Sequence, residues 1–287
     1  MTARPRRSCL YMPGANAKAL EKAKSLPADV LIFDLEDSVA PEAKVAAREA
    51  VVAAVKAGGY GKREVVVRVN ALSTPWGPED MAAVASAKPD GVLVPKIQGA
   101  GDVWFAHEGL GYSGPSLWMM IETPRAILDI AHVVSGTSKL RDGVFVMGLN
   151  DLAKETRMRA GSDRAAFHWA LSKTVTAARM AGLTVIDGVF NDIADAAGFE
   201  AECRQGLEFG FDGKTLIHPS QIDVANAVFA PTAEEVSRAR AVIEAFALPE
   251  NAGKGVIKVE GRMTELLHLE EAKRVVAVSE AIESLNA

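Results

Sequence analysis

The side chains best suited to chemistry stand just after short apolar runs. Asp34, Glu36 and Asp37 follow Val30, Leu31, Ile32 and Phe33, with only Leu35 between them. Buried carboxylates are costly unless paired, hydrogen-bonded or bound to metal, so this cluster must face a partner. Arg68, Lys96, Glu122, Asp151, Asp187 and His218 hold comparable positions further along the chain. The planar fork of Arg68 can read a carboxylate through two parallel hydrogen bonds. Magnesium takes oxygen ligands, typically one or two carboxylates, with water and substrate completing its shell. Glu122 and Asp151 could supply such a pair. The His-rich spacing expected of zinc or non-haem iron is missing. "MGLND", residues 147–151, places a glycine where a backbone can approach a small ligand closely. A divalent cation, an arginine and exposed backbone N–H groups together suit an α-keto acid or another small carboxylate.

These residues need a scaffold that brings strand ends together. Nearly continuous apolar runs at 8–12, 29–34, 64–70, 91–96, 116–122, 143–148, 183–187 and 213–218 predict strands covered on both faces. Helical patterns lie between them. "PEAKVAAREAVVAAVKAG" has Pro41 near its start and Gly58 as a stop, and "SDRAAFHWALSKTVTAARMAG" has Ser162 as N-cap and Gly182 as terminator. Strands alternating with helices predict an α/β TIM (β/α)8 barrel over residues 1–230, whose strand ends would gather the polar series around one pocket. A doubly wound open sheet is the alternative architecture, although no G-x-G-x-x-G follows a strand. Residues 231–287 change rhythm: a helix, the linker "PENAGKG", a short strand "VIKVEGRM" and a terminal helix. This extension has too little apolar surface for its own core and is expected to pack on the barrel or on a neighbouring subunit.

Composition narrows the class. The 287 residues are 49% hydrophobic with a net charge of −5, which offers no basic footprint for nucleic acid, and "RPRR" at 4–7 is too short to supply one. Cys9 and Cys203 form neither a disulfide framework nor a zinc spacing and fit reduced core thiols. No apolar run approaches the roughly 18 residues of a membrane span. The basic start breaks at Pro13-Gly14, too soon for a signal peptide. A cytoplasmic protein is expected.

"RSCLYMPG", "DVLIFDLEDSVAPEAK", "RVN", "VPK", "IETP", "GLNDLA", "DGVFNDIADAAGF" and "FDGKTLIHPSQI" resemble, in order, the motifs of the citrate lyase β-subunit-like (CitE-like) proteins of the HpcH/HpaI aldolase superfamily. The resemblance implies a Mg2+-dependent barrel, with Mn2+ as a substitute ion, that makes or breaks a C–C bond between an acyl-CoA enolate and a keto acid. It implies Glu122 and Asp151 as metal ligands and Arg68 as holder of the keto-acid carboxylate. Coenzyme A contacts fall on Tyr11 and Lys22, with Lys96 lining the same pocket, while another basic contact falls on Asn16 and is lost. Glu36 and Asp37 would hold the ligands from outside the metal's own coordination, on the side of its water shell and of Arg68. Relatives carry a C-terminal catalytic aspartate in "G-[KR]-[ML]-x-D", delivered into a neighbouring subunit of a homotrimer. Here "GRMTE", residues 261–265, puts Glu265 in that place as the acid/base.

The expected activity is therefore Mg2+-dependent cleavage or formation of a malyl-CoA-type substrate, giving acyl-CoA and a small keto acid such as glyoxylate. The same pocket would serve a (3S)-malyl-CoA thioesterase, with the carboxylate activating water. A third reading is a partner-binding β-like subunit of a citrate lyase-type complex. Trp118, Met119 and Met120 are expected in the barrel core, and His218 is expected to orient the last loop. Asp187 is open between a site acid and a turn acid.

Overall fold

Branched and aromatic side chains fit a pleated surface packed on both faces. In the computed structural model, which describes residues 4–161 and 163–286, they form β1 (Ser8–Pro13), β2 (Val30–Asp34), β3 (Glu64–Arg68), β4 (Gly91–Val94), β5 (Ser116–Ile121), β6 (Val144–Met147), β7 (Thr184–Asp187) and β8 (Gly213–Leu216). Each strand pairs in parallel with its successor, and β8 closes on β1, so the sheet is a barrel. The expected TIM architecture is the one observed, and the open sheet is set aside. Around it run α1 (Ala17–Lys22), α2 (Lys44–Ala57), α3 (Gly77–Ala87), α4 (Ala100–Leu110), α5 (Pro124–Leu128), α6 (Ile130–Ser135), α7 (Leu149–Thr156), α8 (His168–Met180), α9 (Ala196–Phe209) and α10 (Ile222–Val228). Ser162, expected as the N-cap of the helix that forms α8, lies outside the described residues.

The barrel's interior is a packed core. Cys9, Val30, Ile32, Val66, Leu93, Trp118, Val144, Val146 and Ile186 fill it, as alternate residues along each strand must. Its N-terminal end is closed by charge. Arg6 donates to both oxygens of Glu64, at 2.7 and 2.9 Å, and lies 5.0 Å over the Trp118 ring. Arg7 forms a second fork with Asp29. Half of the "RPRR" run is thus committed inside the fold.

Asp187 and Lys214 sit one residue out of phase with the interior and face the opposite way. Lys214 Nζ bridges Asp187, at 2.9 Å, and Glu202 on α9, at 2.8 Å, while Arg164 donates to both Asp187 oxygens at 2.9 Å. Burial raises the Asp187 carboxyl, and these two cations more than offset it, leaving it below the usual range.

Residues 230–286 form a second unit. It contains α11 (Ala233–Ala247), a hairpin of β9 (Val256–Val259) and β10 (Arg262–Glu265), and α12 (Leu266–Asn286). Thr232 and Glu235 close a reciprocal capping box at the start of α11. Two expectations are corrected here. The single expected strand is two, because Glu260 (φ +47°) and Gly261 (φ +81°) make the tight left-handed turn that joins hairpin strands. The extension also buries a small cluster of its own, Ala239, Val242, Ile257, Val259 and Ala272, because the hairpin offers one apolar face to the helices. Among the described residues no helix is long and apolar enough to cross a membrane.

Candidate active site

The C-terminal ends of the strands surround a cavity of about 360 Å3. Its wall includes Tyr11 from β1, Asp34 from β2, Arg68 from β3, Glu122 after β5, Asp151 on α7 and Thr215 from β8. Strand parity explains the set: Ile32, Val66, Met120 and Val146 point inward, so residues two further along do too.

Arg68 answers the question posed by the acid cluster. Asp34 and Arg68 are partners across β2 and β3, and Arg68 Nε and Nη2 donate to the two Asp34 oxygens at 2.7 and 2.8 Å. Asp34 also accepts the backbone N–H groups of Glu36 and Ser38, at 2.9 and 3.0 Å. Burial pushes the Asp34 carboxyl up, but Arg68 and these hydrogen bonds more than offset it, and it stays below its ordinary value. Asp37 accepts from Arg68 Nη1 at 3.0 Å from an exposed position. Glu36 Oε2 lies 2.8 Å from Nη1 without an aligned hydrogen bond. Burial pushes the Glu36 carboxyl up to about 8, with Arg68 opposing the rise. The Tyr11 ring packs 4.8 Å from the guanidinium. Lys44 Nζ donates to the carbonyl oxygens of Leu35 and Glu36 rather than to the acids' side chains.

Across the cavity, Glu122 is fully buried. Its Oε1 accepts the backbone N–H of Lys96 at 2.7 Å, while Oε2 has no hydrogen-bond partner. Burial lifts this carboxyl to about 7, against the pull of Lys96. Lys96 Nζ stands 2.5 Å from Asp151 Oδ2 and 3.4 Å from Glu122 Oε1, so one ammonium touches both carboxylates. Gly148 makes this approach possible: a Cβ there would lie 2.4 Å from Glu122 Cβ and 2.5 Å from Oε2. An orphaned anionic oxygen, a second carboxylate and an open cavity suit a small, hard divalent cation. Only two carboxylates converge, and no group of three or more potential metal-ligating residues occurs among the described residues.

Several expected residues lie elsewhere. Asp187 belongs to the outer network with Lys214 and Arg164, and it also accepts the Gly188 N–H just after β7 at 2.8 Å. His218 accepts the Ser220 N–H through Nδ1 at 3.2 Å and so caps the last turn after β8. Lys22 is exposed at the end of α1, and Glu265 ends β10 in the second unit, its N–H donating to His268 at 2.9 Å. Two features were not read from sequence: that Asp34, rather than Glu36 or Asp37, is the main clamp on Arg68, and that Asn150 and Asn191 exchange amide hydrogen bonds on the cavity wall. The "GLND" and "FND" stretches held that second signal.

A closed parallel barrel with an acid pair, a clamped arginine and a cavity at its strand ends is the arrangement of a barrel enzyme. The chain belongs to the HpcH/HpaI aldolase/citrate lyase family, whose model matches residues 7–219. It is 44% identical to a (3S)-malyl-CoA thioesterase of Cereibacter sphaeroides, over 99% of this chain and 98% of that protein. It is 30% identical to an L-malyl-CoA/β-methylmalyl-CoA lyase of the same species, over 98% and 96% of the two chains. Its fold superposes on CitE of Mycobacterium tuberculosis in complex with magnesium, acetoacetate and coenzyme A with a TM-score of 0.76, 27% identity, and coverage of 98% and 100%.

Proposed function

We propose that this enzyme hydrolyses a malyl-CoA-type thioester to the free hydroxy acid and coenzyme A. One observation carries the choice: identity to the thioesterase is 44% along nearly the whole chain, against 30% to the malyl-CoA lyase. The C–C lyase reading, which the motifs alone favoured, gives way to the thioesterase alternative. Glu122 and Asp151 would hold magnesium, with manganese as a substitute. The ion would supply a Lewis acid for a substrate oxygen.

The chain's own groups do the rest. Asp34 fixes the plane of Arg68, leaving its Nη1 edge for the terminal carboxylate of the acyl group, in place of the exposed Asp37. A cavity of about 360 Å3 takes the acyl end rather than the whole thioester, and Lys22 and Tyr11 fall to the coenzyme A portion. Glu265, from the C-terminal unit of a neighbouring copy in a homotrimer, takes a proton from water as the water oxygen bonds to the thioester carbonyl carbon. The C–S bond then breaks, and the departing thiolate collects the proton. Hydroxy acid and free thiol are the products.

The test incubates purified protein with Mg2+ and (3S)-malyl-CoA and follows free thiol and glyoxylate in parallel. Thiol with malate and no glyoxylate supports hydrolysis. Glyoxylate with acetyl-CoA and no thiol restores the lyase. Glu265→Gln should abolish thiol release, and full activity in that variant removes Glu265 from the mechanism.

A further inference from the structure

Lys96 meets the acid pair in two independent ways. Its backbone, in the left-handed region at φ +58°, a conformation that side-chain-bearing residues seldom adopt, donates an N–H to Glu122 Oε1 at 2.7 Å. Its ammonium bridges Asp151 at 2.5 Å and Glu122 at 3.4 Å. The backbone contact positions one carboxylate; the ammonium, shared between both, offsets one of their two charges. Its side chain is 29% exposed, so the ammonium can withdraw toward solvent without unpacking the core. Glu122 has no such freedom. It is fully buried, pressed against Gly148, and its second oxygen has no hydrogen-bond partner.

We propose that Lys96 is a built-in cation that competes with the divalent metal for Glu122 and Asp151. Two cations cannot share so close a pair of oxygens without repulsion, so metal entry drives the ammonium off. The displaced ammonium stays beside Glu122 and Asp151, which line the cavity, and pairs there with the anionic acyl group of the substrate. Metal and substrate anion therefore favour each other's binding through Lys96, and the coupling is reciprocal. This rests on the assignment of Glu122 and Asp151 as metal ligands.

The experiment is Mn2+ binding to the full-length protein, followed by electron paramagnetic resonance of the free ion, with and without saturating L-malate. Variants are Lys96→Gln, Lys96→Arg, Glu122→Gln and, as a charge-matched control, Lys154→Gln, an exposed lysine on α7 near Asp151. Thermal melts confirm folding of each. Without malate, Lys96→Gln should bind Mn2+ about tenfold tighter than the parent, the scale of one lost ion pair, while Lys96→Arg stays at or below the parent. Malate should tighten Mn2+ binding more in the parent than in Lys96→Gln. Unchanged or weaker binding in Lys96→Gln, an equal gain in Lys154→Gln, or equal malate effects in parent and Lys96→Gln would each overturn the proposal. Parent binding that survives in Glu122→Gln, or binding by neither protein, would instead remove the metal assignment and the proposal with it.

Discussion

Asp34 and Arg68 end adjacent strands on the same rung of the barrel and are locked by two hydrogen bonds of 2.7 and 2.8 Å. Arg68 is thereby a fixed fork, its plane set before any ligand arrives. Asp34→Asn removes one acceptor and leaves a buried cation under-compensated. It should cost on the order of 3 kcal/mol of stability and lower kcat/KM through KM first, as read by urea unfolding and thiol-release kinetics. An unchanged KM would mean that Arg68 does not hold the substrate.

Gly148 is defined by what it leaves out. An added Cβ would meet Glu122 at 2.4 Å. Gly148→Ala should push Glu122 aside, destabilise the fold by about 1–3 kcal/mol and weaken Mn2+ binding in the same titration. Wild-type affinity in this variant would show that the wall gives way rather than the carboxylate.

Metal removal separates the acid pair from the arginine. Dialysis against a chelator should abolish thioester cleavage, and added Mg2+ should restore it. Glu122→Gln should remain inactive after Mg2+ is returned, yet its melting temperature should stay within a few degrees of the parent. Activity that survives chelation would dismiss the metal.

Glu36 sets a pH dependence of stability. Its folded carboxyl titrates at about 8, above its unfolded value, because burial disfavours the charge. The unfolded chain therefore releases this proton first as pH rises. The stabilisation is complete below the unfolded value and is lost as pH climbs toward 8. Glu36→Gln removes the dependence and should be more stable than the parent at pH 8 by roughly 1–3 kcal/mol, with the gap closing toward pH 5. Parallel stability profiles for the two proteins would refute the raised value.

Lys214 tests the outer network. Lys214→Met strands Asp187 and Glu202 against Arg164 alone and should cost about 3–5 kcal/mol. Activity per folded molecule should be unchanged, since none of these side chains reaches the cavity. A selective fall in kcat would place the network in the catalytic site after all.

The strands were readable because each is a nearly continuous apolar run, and the polar residues after them carried the site's composition. What the runs could not give was sidedness. Asp34 and Asp187 both close a strand behind apolar residues, yet one enters the cavity and the other the wall between barrel and helices. A shift of one residue in phase separates them, and continuous apolar runs do not reveal phase. The same limit hid Asp34 among its neighbours Glu36 and Asp37. The hairpin of β9 and β10 was missed for a different reason: four-residue strands with alternating exposure resemble one longer strand until the left-handed turn at Glu260-Gly261 is known.

The packed barrel interior, with Trp118 and Met120 among its members, has a consequence for turnover. It lets nothing pass through the barrel, so whatever enters between the strand ends must leave on the same side. Under the proposed hydrolysis the acyl end goes in first and the bulky thiol carrier last, so the carrier leaves first and the small acid follows. The hydroxy acid should then inhibit competitively against the thioester, while the free carrier should inhibit with a mixed pattern. Traffic through this enzyme is last in, first out.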